Sequence, residues 1–88
     1  MSDILLFNTG RHYSINCQRI AARKVGDRVF FFDVDRNISG VIDDMQDTDF
    51  YDRIILQEYD NKNYRGTKLG EEYEIERNLK AEALEMLK

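Results

Sequence analysis

His12 and Cys17, each the sole residue of its type, are the side chains of this chain best suited to nucleophilic chemistry. A cysteine needs a neighbouring base or positive charge to stand as a thiolate at neutral pH. A separation of five residues around a turn fixes no such geometry, and no backbone oxyanion donors can be read nearby. Cys17 is therefore expected to be a small buried apolar group at a strand start. The run Asp43, Asp44, Asp47, Asp49 and Asp52 offers the oxygen ligands that hard cations take. It lacks the central Gly and final Glu of a calcium loop, so it reads as a solvated loop and helix start, with no metal or other cofactor expected.

The string Val29-Phe30-Phe31-Phe32-Asp33-Val34-Asp35 sets an Asp-x-Asp after four apolar residues. It is similar to the first motif of the haloacid-dehalogenase-type phosphatases. That resemblance implies a nucleophilic role for Asp33, a general-acid role for Asp35 and magnesium held by both. It covers seven residues and ends at Arg36-Asn37-Ile38, where that family carries a small turn residue, Thr or Val, and an apolar residue. The family also needs a parallel sheet and later Ser/Thr, Lys and acidic motifs, for which 88 residues leave no room. A motif outside its structural context assigns no activity. Asp33 and Asp35 are read as solvent-side strand residues, Asp35 pairing with Arg19, and no enzymatic activity is expected.

Arg11, Tyr13, Arg19, Arg23, Phe31 and Arg36 interleave cations and aromatic rings, as single-stranded nucleic-acid platforms do. Asp33 and Asp35 share that stretch and repel phosphate, so a structural ion-pair face is the stronger reading. Nucleic-acid binding through Tyr13, Arg19, Arg23 and Phe31 is the alternative.

These residues must be held by elements the pattern also reveals. Ile4 to Phe7 is a short apolar run closed by Asn8-Thr9-Gly10, a strand and turn. Gly26-Asp27 between Cys17–Val25 and Val29–Val34 marks a hairpin. A three-residue loop, 26–28, sorts it best, pairing Arg23 with Phe31, Ala22 with Phe32 and Arg19 with Asp35. One face then holds Ile20, Ala22, Phe30, Phe32 and Val34 as core. The other holds Arg19, Arg23, Phe31, Asp33 and Asp35 as charged surface. Residues 38–42 read as a further short strand. From Asp47 the apolar period lengthens, predicting a helix over about 48–60, with a strand over 53–59 as the competing reading. The tail from Glu71 to Lys88 is an amphipathic helix, with Ile75, Leu79, Ala83 and Met86 or Leu87 on one face. The expected fold is a single α+β domain over 1–88: a small antiparallel sheet of three or four strands, then two helices packed on one face. Phe50, Ile54, Leu79 and Ala83 would meet the core face, and the uncovered face is either a functional surface or a contact between two copies.

A net charge of −4 and a pI near 4.9 argue against binding duplex DNA by phosphate neutralisation. The charge is uneven: residues 1–44 carry six basic and six acidic residues, and 45–88 carry seven basic and eleven acidic. One cysteine, an acidic start without a signal-peptide pattern and no long apolar stretch point to the cytoplasm rather than a membrane. The leading expectation is a small acidic interaction module, a regulator or inhibitor of another protein of a sort often encoded by phages and mobile elements. Asp43, Asp44, Asp47, Asp49 and Asp52 would meet a basic partner, with Tyr51 or Tyr64 as aromatic anchors.

Overall fold

The computed structural model describes residues 4–8, 19–45 and 55–87. They form four strands and two helices: β1 Leu5–Asn8, β2 Arg19–Val25, β3 Arg28–Asp33, β4 Ile38–Ile42, α1 Ile55–Asp60 and α2 Glu71–Met86. The strands make one antiparallel sheet in the order β1-β2-β3-β4, each paired with its neighbour in sequence. An α+β domain with the sheet first and helices after it is therefore the architecture. Helix, not strand, is the state of 55–60; Phe50 and Ile54 lie outside the described residues. No helix among the described residues is long and apolar enough to cross a membrane.

The β2–β3 register corrects the sequence reading by one residue. Ile20 stands opposite Asp33, Ala22 opposite Phe31, Arg23 opposite Phe30 and Val25 opposite Arg28, so the loop has two residues, Gly26 and Asp27. Gly26 takes φ 66°, the positive value that the first residue of a tight II′-type hairpin turn requires and that glycine adopts without a Cβ penalty. Sorting residues by face favours the three-residue loop only where one face is dry and the other wet. Both faces are in fact covered, so alternation no longer distinguishes the registers.

One side of the sheet packs Ile20, Ala22, Val29, Phe31 and Ile42 with Met45 and with Ile55 and Tyr59 of α1. The other packs Ala21, Phe30, Phe32 and Val41 with Ile4 and with Leu79 and Ala83 of α2. The helices thus lie against opposite faces rather than together on one. The expected core set divides accordingly: Ile20 and Ala22 turn toward α1, Phe30, Phe32 and Val34 toward α2. Phe31 and Asp33, expected at the surface, are fully buried.

Beyond β4 the chain returns and pairs once more, Arg65 exchanging both backbone hydrogen bonds with Val41 at 2.9 and 3.1 Å. Gly40 makes this return possible. A Cβ there would stand 2.6 Å from the Tyr64 ring and 2.8 Å from the Arg65 carbonyl oxygen.

Candidate functional site

The most structured polar constellation grows from the end of β3. Asp33 Oδ1 accepts the backbone N–H groups of Asp35 and Arg36 at 3.0 and 3.1 Å, folding the start of the β3–β4 turn around its own carboxylate. Its Oδ2 accepts the Tyr59 hydroxyl of α1 at 2.9 Å. The sequence reading of Asp33 as a solvent-side residue is overturned: it is buried and satisfied by three donors, as a carboxylate in a protein interior must be. Burial first, then the bond to Asp33, pushes the Tyr59 phenol up to about 12, so it stays protonated and donates. Arg36, near enough to Tyr59 to bond it, opposes that shift.

This join opens a cleft of about 290 Å³ lined by Arg36, Ile38, Tyr59, Lys62 and Tyr64. The rings of Tyr59 and Tyr64 both pack on Phe31, at 4.9 and 5.0 Å, and stand 5.5 Å from each other. Lys62 ends α1 in a Schellman cap: its N–H bonds the Tyr59 carbonyl at 3.0 Å, and the Asn63 N–H bonds that of Glu58 at 2.8 Å. At φ 62° Lys62 occupies the left-handed position that glycine usually fills.

The second constellation is electrostatic. Arg65 grips Asp43 with Nε and Nη2, at 2.6 and 3.0 Å, and Glu72 with Nη1 and Nη2, at 2.9 and 2.8 Å. Arg28 adds a 3.0 Å bond to Glu72. The Arg65 fork, then the Lys68 backbone N–H, holds the Glu72 carboxyl well below the usual carboxylate range. Asp43 is likewise held low by Arg65. This pairing brings the acidic loop after β4 to the first turn of α2, where Glu71 and Glu74 are exposed. Farther along α2, burial raises Glu76, but the hydroxyls of Ser39 and Thr67, with Lys80, outweigh it and leave its pKa lowered.

Of the acids expected to meet a partner, Asp43 is exposed but clamped by Arg65, and Asp44 is exposed with φ 56°. Tyr64 is half-buried against Phe31 and does not stand out as an anchor. Asp47, Asp49, Tyr51 and Asp52 lie outside the described residues, as do His12, Tyr13 and Cys17. Arg19 pairs with Asp35 at 2.7 Å as expected. The interleaved cation–aromatic face is not assembled, however. Phe31 is buried toward α1, while Arg23 lies on the α2 side and bonds Glu82 at 2.8 Å. Sequence reasoning missed Tyr59, Lys62 and Arg65, whose roles depend on partners distant in the chain. It also missed Leu69 and Tyr73, which are 87% and 48% exposed. An apolar residue before a helix N-cap normally staples to the fourth helical residue; here that residue is Glu74, a signal that was legible.

Among the described residues no group of three or more His, Cys, Asp or Glu side chains is placed to hold a metal ion. Comparison with known protein families, with curated proteins and with solved structures gives no match.

Proposed function

We propose that this protein is a non-enzymatic interaction module, a small regulator or inhibitor that acts by binding a protein with a basic surface. The observation that supports this most is the start of α2, where Leu69 and Tyr73 stand in solvent beside the exposed carboxylates of Glu71 and Glu74. Apolar side chains surrounded by like charges stay soluble alone yet give a partner anchors to cover, and the charges favour a cationic partner. The Asp43–Arg65–Glu72 link brings the loop that carries the exposed Asp43 and Asp44 to this turn, so acidic residues from two distant segments lie near one another. The single Cys17 suits a reducing cytoplasm.

The test is capture of partners by the wild-type chain and by a Leu69→Ser, Glu74→Lys variant, with mass-spectrometric identification and measured affinity. Both positions are exposed, so circular dichroism is expected to be unchanged. A partner with a basic surface should bind the wild type at least about tenfold more tightly than the variant. Equal binding would remove this surface from the proposal. Charge reversal at Asp47, Asp49 and Asp52 together tests the neighbouring acids in the same assay.

A further inference from the structure

We propose that the outward face of α2 docks on the same face of a second copy of this chain, the two helices antiparallel about a two-fold axis level with residues 75 and 76. The charges of the helix point to this occupant. Most of them are engaged within the chain: Glu71 and Glu72 by Arg28 and Arg65, Glu76 and Lys80 by each other, and Glu82 by Arg23. Glu85 also has an interaction. Glu74 and Arg77 are left, both exposed, and among the described residues no hydrogen bond or ion pair holds either side chain. They are opposite in sign and one turn apart on a single face.

In a closed two-fold contact, a residue that meets another is met by it in return. With the axis at this level, Glu74 faces the second copy's Arg77 and Arg77 faces its Glu74, giving two ion pairs from one surface. A basic partner complements Glu74 alone, whereas a second copy complements both charges. The outward line Gly70, Glu74, Arg77 and Ala81 alternates steps of four and three residues, the spacing of a helix–helix seam. Gly70 then lies opposite the second copy's Ala81, and two small residues let the backbones approach. The exposed Tyr73 falls beside the second copy's Arg77, where its ring stacks on the guanidinium and shields the ion pairs from water. Leu69 comes to the exposed Ala81 of that copy. So short a seam makes a weak dimer, loosened by salt. It goes beyond the basic partner proposed above, since it needs no other protein, and it covers Leu69, Tyr73 and Glu74 when that partner is absent.

Sedimentation equilibrium of the purified full chain, with no other protein present, tests this. The wild type should fit a monomer–dimer equilibrium with a midpoint below about 1 mM at low salt, rising as salt is added. Glu74→Arg and Arg77→Glu each set like charges against each other across the axis, so either variant alone should need at least about tenfold more protein to associate. Both positions are exposed, and circular dichroism should match the wild type. An equimolar mixture of the two variants restores both ion pairs between unlike copies and should dimerise within about threefold of the wild-type midpoint. A wild type that stays monomeric to about 2 mM, variants that associate as well as the wild type, or a mixture no tighter than its components would overturn the proposal. Each of those results would leave capture of a basic partner to be judged by its own assay.

Discussion

The Tyr59 hydroxyl donates to Asp33 Oδ2 at 2.9 Å, and this contact joins α1 to the end of β3 across 26 residues of sequence. Around it the same carboxylate folds the next turn, and the Tyr59 ring packs on Phe31. A strand end, a turn and a helix thus share one buried acid. The cleft lies where they meet.

Tyr59→Phe keeps the ring packing and removes one of the three donors to Asp33. A buried acceptor left short costs about 1–3 kcal/mol, so urea unfolding should show a loss of that order with an unchanged m-value. The wild type should also lose stability at high pH. The folded phenol is raised to about 12 from the ordinary value of about 10, so its contribution is complete below about 10 and disappears as pH rises toward 12. Melting followed across that window should decline in the wild type and less in Tyr59→Phe.

Acid acts on the other constellation with the opposite sign. Glu72, Asp43 and Asp35 all have folded pKa values below their ordinary range, through Arg65 for the first two and Arg19 for the third. The stability they supply is complete above about 4.5, their unfolded range, and is lost as pH falls through the folded values. Arg65→Met should lower Tm at neutral pH and make the fall of Tm from pH 5 downward shallower. A fall as steep as in the wild type would assign the acid limb to other carboxylates.

Lys62→Gly relieves the left-handed position at the end of α1. A gain of up to about 1 kcal/mol is expected, the strain removed being partly offset by the freer unfolded chain. Thermal melts should show Tm unchanged or raised by a few degrees. A clear loss of stability would mean that the lysine stem packs in a way that outweighs the strain.

Gly40→Ala introduces a Cβ against the Arg65 carbonyl and the Tyr64 ring. The carbonyl belongs to a backbone bridge and cannot swing aside, so a loss of about 1–3 kcal/mol is expected. Hydrogen exchange should be faster at the Val41 and Arg65 amides, which bond across that bridge.

Local signals carried much of the fold. Gly26-Asp27 marked the hairpin, the change of apolar period marked α1, and the acidic start with Leu79 and Ala83 marked α2. The register was missed because sorting residues onto a dry and a wet face presupposes that there is a wet face. The three consecutive phenylalanines of β3 were the contrary sign, since an unbroken apolar run belongs to a strand covered on both sides. Of the candidate surface, the Arg19–Asp35 pair was legible because both residues flank the same hairpin.

By itself the sequence determined the element types and the α+β order, because propensity, turn chemistry and apolar period are properties of neighbouring residues. It also determined the acidic excess of the second half. Tertiary structure alone decided that α1 and α2 take opposite faces, that Phe31 and Asp33 are interior and that Arg65 binds Asp43 and Glu72 together. A carboxylate is surface or core according to whether donors reach it, and the Tyr59 hydroxyl reaches Asp33 only once α1 has packed on the sheet.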